Sequence, residues 1–145
     1  MEDLLKFENR ERMFKFLMDE FGLNKVQEQY FPKNFGNFFI KLAAKNFLLR
    51  YVNDRSFLTI EIASQIESDK WYDLSYVKDF IYNKYKINAD DRNLDNYSRI
   101  EELNNFLKKD FDRISDLFSK EKYPSTKRQI DELLKKQFKR NFPGW

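Results

Sequence analysis

Three short segments of alternating apolar and polar residues lie close together between residues 38 and 62. Their apolar positions are Phe38, Ile40 and Leu42, then Phe47, Leu49 and Tyr51, and then Leu58, Ile60 and Ile62. Because successive side chains of a β-strand point to opposite faces, this period of two predicts three strands that share one apolar face. Turns at 43–46 and 53–56 separate the segments, so we expect neighbouring strands to pair antiparallel.

Charged residues fill several of the positions between these apolar ones. The residues predicted to share the opposite face of the sheet are Lys41, Arg50 and Glu61. The apolar face needs a cover, which the helices must supply. Tyr30 and Phe31 add a candidate edge strand just before this region. We therefore expect a small antiparallel sheet of three to four strands at about residues 30–62.

Helical spacing of apolar residues dominates the chain on both sides of this sheet. The predicted helices cover roughly 3–21, 73–85, 98–118 and 125–142, with a polar loop at 88–96. Asp73 and Ser125 suit helix N-caps, and Ser98 with Glu101 fits a capping box. The pattern predicts one α+β domain over residues 1–145, in which an N-terminal helix and three C-terminal helices pack on the sheet.

Aromatic residues are unusually frequent, with 16 Phe, 8 Tyr and 2 Trp among 145 residues. Aromatic side chains dominate the energetics of both cores and interfaces, so this excess is consistent with a large core or with a contact surface. A chain of this length buries about 68–70% of its unfolded surface on folding, and it needs no disulfide or metal to form a core.

The chain has neither cysteine nor histidine, and it has only three glycines. Thiolate chemistry, zinc sites built on His or Cys, the usual general base and Gly-rich phosphate loops are therefore excluded. Carboxylate pairs such as Asp90–Asp91 leave an oxygen-ligated Mg²⁺ or Ca²⁺ site open, although no EF-hand pattern is present. We predict a protein that is not an enzyme, with no catalytic residue, no metal and no cofactor.

The first twelve residues are charged with both signs, and no stretch approaches the length of a membrane span. We therefore expect a cytoplasmic protein without a membrane partner. The net charge is +3, which is too balanced to indicate nucleic acid by itself. The basic excess lies at the C-terminus, where eight Lys/Arg face three Asp/Glu from Lys120 onward.

Two groups of residues are candidates for binding a protein partner. Asp54 and Arg55 occupy the second turn, where an Arg can grip a carboxylate, although an ordinary hairpin turn also uses these residues. Trp71 and Tyr72 precede the second helix. They form either an exposed hot spot for a partner or a hydrophobic staple that packs the start of the helix. With two of the three charged residues of the outer sheet face, the predicted partner-binding set is Arg50, Asp54, Arg55, Glu61, Trp71 and Tyr72.

The C-terminal helix offers an alternative, because basic residues on a helix can follow a phosphate backbone. The candidate nucleic-acid contacts are Lys127, Arg128, Lys135, Lys136, Lys139 and Arg140. They also occupy the positions that the apolar stripe leaves over, which is the pattern of a solvated helix face.

The stretch YVNDRSFLTIEIAS, followed by KWYDLSYVKDFIY, resembles small bacterial proteins thought to be immunity proteins of polymorphic toxin systems. The matching residues are Asp54, Arg55, Ile60, Ile62, Trp71 and Leu74. Ser56 stands where those proteins often have Gly. The resemblance covers about residues 35–83 and implies a non-enzymatic protein that binds a partner protein, for instance a toxin, and occludes its active site. The alternatives are a nucleic-acid-binding protein and a structural or adaptor protein of a mobile element.

Overall fold

The computed structural model describes residues 3–87, 94–141 and 144. Its strands form one antiparallel sheet in which each strand pairs with the next along the chain. They are β1 Asn24–Phe31, β2 Asn37–Ala43, β3 Phe47–Asp54, β4 Phe57–Ser64 and β5 Glu67–Asp73. The α+β class and the antiparallel pairing are confirmed. The predicted extent of three to four strands at about 30–62 was too small, since the sheet has five strands and spans 24–73.

Both edge strands are rich in polar residues. The sequence pattern placed only the end of β1, at Tyr30 and Phe31, and it missed β5. Every residue of β1 is exposed, and a bulge at Val26 interrupts its pairing with β2. β5 reads ESDKWYD and pairs with β4 through an irregular register. Edge strands bury little side-chain surface, so they lack the apolar alternation by which the central strands were recognised.

The described residues also form four α-helices and a short 3₁₀ helix. They are the 3₁₀ helix Phe7–Asn9, α1 Glu11–Phe21, α2 Leu74–Tyr82, α3 Asn96–Leu117 and α4 Tyr123–Asn141. α1 is shorter than the predicted helix at 3–21, and it ends at Gly22, whose left-handed φ of 71° provides the expected C-cap. Among the described residues, no helix combines the length and the hydropathy that crossing a lipid bilayer requires.

N-cap residues were predicted for three of the helices, and two of these predictions were wrong. Asp73 caps α2 as predicted, with its carboxylate accepting from the Ser75 N–H at 2.9 Å. α3 is capped by Asp95, which accepts from the Ser98 N–H at 2.8 Å, so Ser98 lies inside the helix. α4 begins at Tyr123, two residues before Ser125. Residues 88–93 of the predicted polar loop, and Pro143 after the last helix, lie outside the described residues.

The core lies between the helices and the apolar face that the alternation predicted. The apolar side chains of β2, β3 and β4 on this face are fully buried, as are Phe14 of α1 and Ile114 of α3. Tyr51 lies in the same layer, 5.6 Å from the Phe14 ring, and its hydroxyl donates to Asn104 of α3 at 2.6 Å. The helices therefore cover one face of the sheet, as the sequence indicated.

The start of α3 takes the place of a missing strand beside β4. Pairing of β5 with β4 stops at Glu61, because α2 begins at Leu74 and leaves the sheet. Beyond this point the side chain of Asn96 accepts from the Leu58 N–H at 3.0 Å and donates to the Ser56 carbonyl at 2.8 Å. Arg99 donates to the Leu58 carbonyl at 3.0 Å. Side chains of α3 thus supply the hydrogen-bond partners that a neighbouring strand would otherwise give to these backbone groups.

Replacing Asn96 by Ala should leave the partly buried Leu58 N–H of β4 without a partner, whereas the exposed Ser56 carbonyl can bond to water. We expect Asn96→Ala to lower the free energy of unfolding by about 1–3 kcal/mol, the usual cost of an unsatisfied buried polar group. Asn105 lies on the same helix and is exposed. Asn105→Ala is the matched control and should change stability by less than about 0.5 kcal/mol. Urea denaturation measures both, and equal stabilities of the two variants would contradict this role of Asn96.

Candidate functional site

The face of the sheet opposite the helices remains partly exposed. The residues that form this surface, here named the open face, are Phe39, Lys41, Arg50, Val52, Thr59, Glu61 and Trp71. Lys41 pairs with Arg50 across β2 and β3, and Arg50 pairs with Glu61 across β3 and β4. The prediction that these three charged residues share one face is confirmed.

Arg50 organises the centre of the open face. Its guanidinium donates to the Glu61 carboxylate at 2.8 Å and lies 4.2 Å from the centre of the Trp71 ring. The Lys41 ammonium is 5.6 Å from the same ring. A cation held over an indole is attracted by the ring's quadrupole, so strands β2 to β5 present one ordered cluster of two cations, a carboxylate and an aromatic ring. The sequence nominated three of these four residues as partner contacts.

Asp54 and Arg55 lie at one end of the same surface. Arg55 and Ser56 both have left-handed φ values, 52° and 69°, which is the geometry of a type I′ hairpin turn. Asn53 supports the turn by accepting from the Ser56 N–H at 3.0 Å. The Arg55 N–H donates to the Asn37 side chain at 2.8 Å, which ties the turn to β2. The side chains of Asp54 and Arg55 are about 70% and 78% exposed.

The neighbouring turn presents an aromatic residue that the sequence interpretation missed. Phe35 lies between β1 and β2, is 75% exposed and has a left-handed φ of 58°. The Arg55 guanidinium is 5.9 Å from its ring, and Phe31 at the end of β1 is 37% exposed. We name Phe31, Phe35, Asp54 and Arg55 the tip. An aromatic residue inside the turn-forming run PKNFG was the signal that could have revealed it.

Tyr72 does not belong to the open face. Because neighbouring strand residues point to opposite faces, Trp71 faces outward while Tyr72 faces the helices and is buried. Its hydroxyl donates to Asp131 of α4 at 2.7 Å, and burial, together with this bond, raises the pKa of the Tyr72 phenol well above its usual value. Tyr72 therefore holds α4 against β5, and it is not available to a partner.

Lys127 is also engaged within the protein. Its ammonium donates to Glu67 of β5 at 2.7 Å, and the Tyr123 hydroxyl donates to the same carboxylate at 2.9 Å. These hydrogen bonds lower the pKa of Glu67. The first turns of α4 are thus fastened to β5 by hydrogen bonds from the helix, and Lys127 is separated from the other basic residues of the predicted nucleic-acid set.

The remaining members of the predicted nucleic-acid set are Arg128, Lys135, Lys136, Lys139 and Arg140, and all five are exposed. Lys135 and Lys139 border a cavity of about 500 Å³ that also contacts Lys70 and Phe138. Lys136 and Arg140 border a second cavity, of about 680 Å³, on the other side of the helix. These last four basic residues therefore form two separate surfaces and not one stripe.

The described residues also bear on the carboxylate pairs considered as metal ligands. Within residues 3–87 and 94–141, no group of three or more carboxylates is placed to hold a metal ion. Asp90 and Asp91 lie outside the described residues.

Searches against protein-family models, curated proteins and solved structures return no match to this chain. The resemblance of the hairpin-to-helix segment to immunity proteins therefore stays a prediction. The surfaces described above carry the functional argument.

The position of Asp73, next to the open face, disfavours the charged form of its carboxyl group. Burial raises the pKa of Asp73, the charge of Glu61 adds to this effect, and hydrogen bonds from Ser75 offset part of it. A carboxyl group with a raised folded pKa stabilises the fold only while it is protonated. That contribution is present below its ordinary pKa of 3.8 and is lost as the pH rises through the folded value.

Asp73→Asn should therefore be at least as stable as the wild type at pH 7, because Asn caps helices as well as Asp and carries no charge. The difference should vanish at pH 3, where Asp73 is protonated in both states. Asp73→Ala is the control for the cap and should lose about 1 kcal/mol at pH 3, and less at pH 7, where it also removes the unfavourable charge. Urea denaturation at pH 7 and pH 3 measures these effects. A clear loss of stability in Asp73→Asn at pH 7 would refute this account of the site.

Proposed function

We propose that this protein binds another protein through the open face and the tip, and that it acts by covering a functional surface of that partner. The observation that carries the proposal is the tip itself, where Phe35 is 75% exposed while its backbone is held in a left-handed turn beside Arg55. A large aromatic side chain kept in water by an ordered turn is costly to the isolated protein and useful in an interface.

The composition of the surface supports this proposal. Interface hot spots are enriched in Trp, Tyr and Arg, and the open face offers Trp71 and Arg50 while the tip offers Arg55. The two regions are continuous, because Phe39 and Val52 lie between them on β2 and β3. The strands below are fully buried on their other face, so the surface is preorganised and loses little conformational freedom on binding.

The charges of this surface indicate the kind of partner. Lys41, Arg50 and Arg55 stand against Asp54 and Glu61, which leaves the surface close to neutral with a small positive excess. Complementarity therefore favours a neutral or mildly acidic partner surface, and not the basic cleft of a nuclease. An immunity-type inhibitor of a toxin with such a cleft is the specific form of the proposal, in keeping with the resemblance of the hairpin-to-helix segment.

The test compares substitutions at the tip with one at the opposite end of the sheet. Ile66 lies in the β4–β5 turn and is 51% exposed, so Ile66→Ser is a control of similar exposure. A partner retained from an extract of the source organism by the wild type, at one-to-one stoichiometry, should be retained equally by Ile66→Ser. Phe35→Ser and Arg55→Glu should weaken its binding at least about 30-fold, the effect of losing a hot spot of about 2 kcal/mol.

Titration of the purified pair by calorimetry gives these affinities, and thermal unfolding confirms that each variant is folded. Equal retention of the partner by Phe35→Ser and by Ile66→Ser would reject the tip as the binding surface. Failure of the wild type to retain any protein stoichiometrically at micromolar concentration would reject protein binding itself.

A further inference from the structure

A basic groove lies between the segment that follows α2 and the second half of α4. It has a volume of about 680 Å³ and is bordered by Lys84, Lys86, Lys136 and Arg140. The two halves come from distant parts of the sequence, so the spacing of the basic residues along α4 alone does not reveal it. A volume of this size is within the range of pockets that take small-molecule ligands.

Three lysines of this groove, Lys84, Lys86 and Lys136, take part in none of the ion pairs found in the described part of the chain. No carboxylate is among the described residues that border the groove. The mutual repulsion of these three lysines favours an anionic ligand.

The backbone that presents Lys84 and Tyr85 is strained. Both residues have left-handed φ values, 53° and 66°, at a helix end where Gly is the usual residue. The Tyr85 N–H donates to the Phe80 carbonyl at 2.9 Å and closes the end of α2. Strain of this kind is frequent at binding sites, where the surrounding structure holds residues in a required position.

This turn places an aromatic ring at the groove. Tyr85 packs edge-on against Phe80 with ring centres 4.7 Å apart, and 55% of it remains exposed. The sequence pattern predicted a helix at 73–85, with Tyr85 as its last residue. That prediction was wrong, because the helix ends at Tyr82 and the left-handed turn directs the ring outward. Ile87 and Leu133 add an apolar part to the lining.

We propose that this groove binds a nucleotide unit. Lys84, Lys86 and Lys136 contact its phosphate oxygens, for which lysine serves as a point charge, and the base stacks on the exposed ring of Tyr85. The unit is supplied by a free nucleotide or by one residue of a single-stranded nucleic acid, since both present the same phosphate and base. This site is separate from the protein-binding surface proposed above. Of the nucleic-acid contacts predicted from the sequence, it uses only those on one side of α4.

The test uses two probes, ADP and a fluorescein-labelled octamer of deoxythymidine, with inorganic phosphate as competitor. Binding is followed by calorimetry for ADP and by fluorescence anisotropy for the octamer. The groove variant is Lys86→Gln/Lys136→Gln. Its matched control, Lys135→Gln/Lys139→Gln, removes the same charge from the other side of the same helix.

The groove variant should bind the responsive probe at least 10-fold more weakly than the wild type, while the control should change binding by less than 3-fold. If the octamer binds, loss of two phosphate contacts should reduce the slope of log K against log salt by about 1.4, at about 0.7 per contact for a single strand. Tyr85→Ala should also weaken binding, and Tyr85→Phe should preserve it because the stacking ring remains.

Saturable binding of ADP that displaces the octamer identifies a free nucleotide as the ligand, and binding of the octamer alone identifies a single strand. Equal loss of binding in the groove variant and the control would overturn the proposal, because it would show attraction to diffuse positive charge. Displacement by inorganic phosphate at the same concentration as ADP would overturn the role of the base. Absence of saturable binding to either probe would overturn the site.

Discussion

Burial of one face of the sheet is the constraint on which the rest of the structure depends. Ile40, Tyr51 and Ile60 form one row across β2, β3 and β4, and all three are fully buried beneath the helices. A slip of one residue in this register would turn the whole row toward water and the charged face toward the core. The same burial therefore decides which side chains form the open face, and it explains why Lys41, Arg50 and Glu61 meet.

Local sequence was sufficient to predict the three central strands, because their side chains alternate between the core and water. It was also sufficient to predict the Asp73 cap, because the bonding partner Ser75 is only two residues away. It was insufficient at the sheet edges, where β1 and β5 bury little and show no apolar alternation. The Ser98 cap was wrong because α3 begins earlier, at Asn96, and Asp95 accepts from the Ser98 N–H.

Local sequence could also predict only part of the candidate sites. Arg50 and Glu61 lie on the outer face that the alternation predicted, and the strand register pairs them. The tip depends on two turns meeting through the Asn37 side chain, and the basic groove depends on the turn after α2 meeting α4. No local pattern contains such long-range contacts. Phe35 and Tyr85 share one signature, an exposed aromatic residue with a left-handed backbone, which becomes visible only in three dimensions.

Tyrosine hydroxyls join distant elements of the fold. Tyr51 donates to Asn104, Tyr72 to Asp131, Tyr82 to Asp110 and Tyr123 to Glu67. Burial raises the pKa of Tyr82 to about 12, and burial also raises the pKa of Tyr51, Tyr72 and Tyr123 above their usual values. Each hydroxyl therefore keeps at neutral pH the proton that it donates. These bonds hold α3 and α4 against the sheet and α2, whereas Phe35 and Tyr85 keep their rings exposed at the surfaces where we propose that partners bind.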